Sequence, residues 1–205
     1  MTSGEVVRSD KESAKSLATR RILIEVAAEM FAECGYAETS MRDVARRASL
    51  STGALYGHFR NKAELLAEAI GTRISEGFYH DRSEPLDDRS VRASLKDYVL
   101  NFQRRKALRA LLLQGVAAAQ TDDETRVRLR HEQRLHLDRW FNDYEAGRDL
   151  LGIDRSVDIE ALSLFTWSAE IGLGLLEVLG IAPSPDGWAD VHDRLVRGLA
   201  LPPEQ

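Results

Sequence analysis

The chain has 205 residues, 43% of them hydrophobic and 30% charged, and a formal net charge of −5. This is the composition of a soluble globular protein of one or two domains. A single cysteine, Cys34, excludes an intrachain disulfide framework, and a membrane span of about eighteen apolar residues is excluded because the richest segment, Leu162 to Leu179, is interrupted by Glu170 and Glu177.

Met1 to Lys15 is polar and charged and lacks the apolar core of a signal peptide, so residues 1–15 read as a disordered arm of a cytoplasmic protein. A helix is predicted from about Ser16 to Cys34, where Ile24, Ala27, Ala28 and Phe31 recur at helical spacing and Gly35 supplies the stop. Cys34, at its end, reads as a small packing residue. Thr39 and Ser40 are capping residues, and Asp43 completes an acidic variant of the capping box, so a short helix begins at Met41. Its apolar stripe is Met41, Val44, Ala45 and Ala48. Ser51 or Thr52 caps another helix, whose Leu55 and Phe59 turn inward while Thr52, Gly53, Tyr56 and Gly57 are left facing out. Two short helices joined by a tight turn form a helix-turn-helix, the unit that lays its second helix in the major groove of DNA. Asn61 and Glu64 make a further capping box that opens a helix reaching about Phe78. Residues 16–60 thus form a helix-turn-helix DNA-binding domain and residues 61–80 a connecting helix.

Between Thr39 and Lys62 five basic residues stand against one acidic. Neutralising phosphates gives sequence-independent affinity for DNA, and the basic residues lie where that affinity is needed. The bland reading is that any amphipathic helix pair carries arginines on its solvated face. Before His80 the chain has 11 basic and 11 acidic residues, and after it 17 and 22, so the second part carries the whole negative balance and is a poor second surface for DNA.

The proline and charges of 80–88 mark the boundary to residues 81–205. Helical segments are predicted near Ser90 to Arg104, Ala107 to Gln120, Asp122 to Ala146, Asp158 to Gly180 and Asp186 to Ala200. No segment sustains the two-residue period of a strand, and the fold class is all-α.

Thr19-Arg20-Arg21-Ile22-Leu23, Ala27-Ala28, Phe31 and Gly35-Tyr36, followed by Thr39-Ser40-Met41-Arg42-Asp43-Val44-Ala45, Gly53-Ala54-Leu55-Tyr56, His58-Phe59 and Asn61-Lys62-Ala63-Glu64-Leu65-Leu66, resemble the TetR family of transcriptional regulators over about fifty consecutive residues. Gly57 departs from the bulky side chain that many members carry there. The resemblance implies an N-terminal three-helix DNA-binding domain and a C-terminal helical domain for effector binding and dimerisation. It also implies that Ser51, Thr52, Gly53 and Tyr56 face the groove, with Gly53 and Ala54 allowing close approach to bases. Ser40, Ser51, Tyr56, His58 and Lys62 are the residues expected to grip phosphates, and Arg42 and Arg47 are candidates for further backbone contacts. A dimer requires a near-palindromic double-stranded operator, with reading helices about 34–36 Å apart or a multiple of it.

The family also implies a pocket for a small-molecule effector in the second part. Tyr98, Phe102, Trp140, Tyr144 and Trp167 are its candidate aromatic walls and Gln114 or His136 a candidate polar group, against the alternative that aromatics at helical spacing are simply core. Phe165, Ala169, Gly172, Leu176 and Leu179 make one stripe and Trp188, Val191, Leu195 and Leu199 another, and two such helices from each of two subunits close a four-helix bundle, the homodimer that the family implies. The alternative is that both stripes face their own subunit's core.

No enzymatic motif stands behind a catalytic reading. Gly172-Leu173-Gly174 lies inside a helical segment with no strand before it, His131 and His136 are spaced away from a common metal, and no GxSxG elbow is present. The sequence therefore reads as a ligand-responsive repressor with no catalytic residues, no cofactor and no metal. A helical enzyme or a protein-binding scaffold without sequence-specific DNA binding is the alternative.

Overall fold

A computed structural model describes residues 3–78, 105–181 and 184–198. Among them are eight helices and no β-strand: α1 (Ser3–Cys34), α2 (Met41–Arg47), α3 (Thr52–Tyr56), α4 (Lys62–Phe78), α5 (Lys106–Ala119), α6 (Asp123–Leu151), α7 (Ile159–Val178) and α8 (Pro185–Gly198). The segment predicted near Ser90 to Arg104, with Tyr98 and Phe102, and the residue Leu199 lie outside the described residues. The chain divides into two compact units, Met1–Thr72 with Gln114–Leu129, and Arg73–Leu113 with Arg130–Gln205.

Two boundaries differ from the sequence reading. α1 is helical from Ser3, where an arm was expected up to Lys15, yet Ser13 to Ala18 are all exposed. Glutamate, lysine and alanine are good helix formers, so the helical ladder extends past the packed part through the exposed Ser13 to Ala18. α6 runs through Gly147 to Leu151 instead of ending near Ala146, because one interior glycine costs only about 1 kcal/mol. The stop is Gly152, in the left-handed region at φ 65°.

In the first unit, Leu23, Ala27 and Phe31 of α1, Val44 of α2, Leu55 of α3, Phe59, and Leu65, Leu66 and Ile70 of α4 are all buried and make up the core. Wholly burying a leucine or phenylalanine is worth about 1.5–3 kcal/mol, and this core is what holds helices too short to persist alone. Arg20 reinforces it, with its guanidinium 5.1 Å from the Phe59 ring centroid and 2.6 Å from the Glu68 carboxylate.

In the second unit α7 is the organising helix. It is long and apolar enough to cross a membrane by length and composition alone, but Glu170 near its middle is wholly buried and ion-paired. Its Gly174 lies so close to α5 that a Cβ there would sit 2.8 Å from the Cβ of Arg109.

Candidate nucleic-acid interface

Both short helices begin as the sequence implies. Ser40 has extended backbone, its Oγ accepts from the Asp43 amide at 3.1 Å, and its hydroxyl donates to the Asp43 carboxylate at 2.5 Å. That hydroxyl bond, and then Arg46, hold the Asp43 carboxyl below its ordinary pKa against the effect of desolvation. Ser51 caps α3 in the same way, accepting from the Ala54 amide at 3.1 Å. Thr52 was the alternative cap; it is the first residue of the helix. Between the helices Ser49 adopts φ 57°, a left-handed turn residue that lets α3 set off in a new direction.

The outward face of α3 carries Ser51, Thr52, Gly53 and Tyr56, all exposed, Tyr56 by 53%. Ala54 and His58 are half-buried, while Leu55 and Phe59 point into the core. The face predicted for the groove is therefore a real surface, built of small side chains around one tyrosine.

The basic residues are arranged differently from the sequence expectation. Arg47 turns back to α1, with Nη1 2.6 Å from Glu33 and Nη2 3.4 Å from Glu29, so it ties α2 to α1. That bond, ahead of the charge attraction, lowers the Glu33 pKa. Arg46 pairs with Asp43 and Arg60 with Glu64. The Lys62 ammonium donates to the carbonyl of Tyr36 at 2.8 Å and lies 4.3 Å from the centroid of the Tyr36 ring. Burial lowers its pKa. Lys62, assigned by sequence to a phosphate, is thus a clamp on the α1–α2 turn. Among the described residues of the motif, Arg42 is exposed and forms no ion pair with a carboxylate.

In the second unit the structure brings Trp140, Tyr144 and Trp167 together. His136 lies between the two indoles, at 5.0 Å and 4.4 Å ring separation, and Trp140 and Trp167 meet edge-on at 5.8 Å. Trp167 donates its indole N–H to Gln133 at 2.8 Å. Burial, and then Arg139, press the His136 pKa down to about 3. Burial raises that of Tyr144, partly offset by a bond to Thr166. Gln114 does not join this cluster. Its Oε1 accepts from the Tyr36 amide at 3.2 Å, in the first unit.

Sequence reasoning missed the strongest electrostatic feature of the second unit. Arg109 donates to Glu170 at 2.7 Å and through two nitrogens to Glu177 at 2.8 and 2.7 Å, and Arg105 lies 3.2 Å from Glu170. Arg105, Arg109 and Glu170 are essentially inaccessible. Burial opposes the charge on Arg109, but its bonds to Glu177 and Glu170 outweigh that and leave its pKa above the usual value. The available signal was the spacing of Arg105 with Arg109 and of Glu170 with Glu177, one and two helical turns, in otherwise apolar helices.

The predicted pairing stripe on α7 faces away from its own core. Phe165 is 60% exposed and Leu179 65%, Leu176 and Gly172 are also exposed, and Ala169 is half-buried. On α8, Val191 and Leu195 are exposed and Trp188 is half-buried.

The fold and the exposed α3 face define an all-α protein with an N-terminal helix-turn-helix head. The family model described as "Bacterial regulatory proteins, tetR family" matches residues 23–69, which span α1 to α4. The Escherichia coli protein named as the probable acrEF/envCD operon repressor is 32% identical over 112 residues, covering 50% of each chain. The transcriptional regulator TtgR of Pseudomonas putida is 44% identical over 61 residues, 30% of this chain and 28% of its own. The solved structure of Salmonella enterica GusR superposes with a TM-score of 0.68 at 20% identity, over 89% of this chain and 95% of that one. Over residues 23–69 the chain is similar to the TetR family. It spans about half the length or less of these curated relatives in the matched regions.

Proposed function

We propose that this protein is a transcriptional regulator that binds a near-palindromic DNA operator as a homodimer and acts as a repressor released by a small-molecule effector. The observation that carries the DNA-binding reading is the exposed Ser51, Thr52, Gly53 and Tyr56 face on a capped helix seated over a packed core. A helix so presented enters the major groove with its N-terminal residues against base edges. Ser51 has a hydroxyl hydrogen, and Arg42 a guanidinium, available for phosphates. The exposed apolar stripes of α7 and α8 support the homodimer, since buried against a second copy they close a bundle. Trp140, Tyr144 and Trp167 support an effector site in the second unit, and the naming of its relatives as regulators favours regulation over catalysis. An effector releases DNA only by binding one conformation of the protein more tightly than another.

The test is selection of bound duplexes from a random pool at physiological salt. An inverted repeat is the expected product, and binding that is salt-sensitive but blind to sequence refutes the reading. Tyr56→Ala weakens binding to the recovered repeat and leaves the oligomeric state unchanged. For the effector, a compound that raises the melting temperature of the second unit yet leaves operator affinity unchanged is the outcome that sinks that part.

A further inference from the structure

Tyr36 lies in the turn between α1 and α2, four residues before the cap of α2, and it is held from three sides. Its amide donates to Gln114 Oε1 on α5 at 3.2 Å, its carbonyl accepts from Lys62 at the start of α4, and its hydroxyl lies 3.3 Å from Thr125 Oγ1 in the first turn of α6. The direction of the last bond is fixed by its neighbour. Thr125 is wholly buried, and its hydroxyl hydrogen goes to the Asp122 carboxylate at 2.5 Å, an acceptor with nothing to donate. The Tyr36 hydroxyl must therefore donate to Thr125, giving a one-way chain from Tyr36 through Thr125 to Asp122. The turn itself has little freedom. Gly35 is left-handed at φ 86°, and the buried Thr39 hydroxyl donates to the Gly35 carbonyl at 2.8 Å.

This arrangement pins the entry to the reading helices on parts of α5 and α6 that belong to the same compact unit, Gln114–Leu129. Both helices continue beyond that unit, as does α4. We propose that Tyr36 is a positioning residue for DNA recognition, a polar latch through which the end of α5 and the start of α6 fix the placement of α2 and α3. The proposal deepens the DNA-binding reading above and rests on it for its effect on operator affinity, while the positioning itself does not depend on DNA. Closing the latch orders the turn ahead of Ser40, and opening it frees that turn and lowers the population of the DNA-competent head.

Amide hydrogen exchange of the free, full-length protein tests the positioning. Tyr36→Phe keeps the ring under Lys62 and removes only the donor, Thr125→Val removes the acceptor at nearly constant shape, and Thr125→Ser keeps the hydroxyl. Exchange of the α2 and α3 amides should rise between about twofold and tenfold in Tyr36→Phe and in Thr125→Val, the range set by one neutral hydrogen bond. The double variant should rise no further than the larger single, and Thr125→Ser should stay near wild type. Affinity for the selected inverted repeat should fall in the same pattern, with an unchanged salt dependence. Faster exchange confined to the turn itself, or effects that add in the double variant, overturn the latch, and so does operator affinity that ignores all three substitutions. If wild-type protein selects no repeat, the DNA reading fails, and the exchange of α2 and α3 still decides the latch.

Discussion

Replacing Lys62 by methionine separates two roles that the sequence alone confuses. If the ammonium contacts a phosphate, its loss weakens DNA binding and costs the fold nothing. The structure predicts the opposite, because the Nζ atom donates at 2.8 Å to the Tyr36 carbonyl and at 3.4 Å to that of Ala37, and lies 4.3 Å from the Tyr36 ring centroid. A hydrogen bond from a charged donor contributes about 1.5–3 kcal/mol and a cation–π contact about 0.5–1 kcal/mol. Partial solvent exposure and relief of the desolvation that lowers the Lys62 pKa reduce the sum. The net loss expected for Lys62→Met is about 2 kcal/mol, with the methionine retaining the apolar stem. In a domain of this size that lowers the melting temperature by about 4–8 °C. Circular dichroism follows the melt, and fluorescence anisotropy on the selected operator follows binding from low to high salt. The slope of log K against log salt should be that of the wild type. An unshifted melting temperature with a slope shallower by about 0.9 for each reading head would return Lys62 to the phosphate and refute the clamp.

The remaining predictions concern the second unit. His136, held near 3 in the fold against 6.5 unfolded, takes up its proton only in the unfolded chain as pH falls through that window, so stability is present above pH 6.5 and drains away below it. The loss is about 2 kcal/mol between pH 7 and 5 by denaturant titration, and His136→Gln should flatten it; a slope that survives the substitution assigns the acid sensitivity to other groups. Gly174→Ala places a methyl 2.8 Å from the Arg109 Cβ, an atom with no freedom to swing away, and should cost about 1–3 kcal/mol in thermal unfolding. A neutral result would mean that α5 and α7 separate easily. Glu170→Gln removes the buried carboxylate that Arg105 and Arg109 share, leaves Glu177 on Arg109, and should cost about 3–5 kcal/mol, so a variant as stable as wild type excludes a structural role for the cluster. Leu176→Asp on the exposed α7 stripe should give a monomer by sedimentation equilibrium, and an intact dimer moves the interface elsewhere.

The helix-turn-helix was legible because its signals are local. A cap at Ser40 or Ser51 needs only the next three residues, and the inward choice of Leu55 and Phe59 over Thr52 and Tyr56 follows from 3.6 residues per turn. The outward stripe of α7 was legible for the same reason, as a periodicity. Helix ends were less so. Burial marks where a helix packs, whereas its ladder continues wherever the residues tolerate it, as at Ser3 and through Gly147.

By itself, then, the sequence determined an all-α chain, the order of its helices along most of the described length, and which face of α3 is exposed. Only the tertiary structure decided the partners of its charges. Arg47 could have met a phosphate and instead meets Glu33, Lys62 a phosphate and instead the Tyr36 carbonyl, Gln114 a ligand and instead the Tyr36 amide. Glu170, read along the chain as an interruption, is the buried centre that two arginines share. The physical reason is that backbone geometry repeats every turn and is written in neighbouring residues. A polar side chain finds its partner across tens of positions, and which one it finds depends on what folding has placed within about 3 Å.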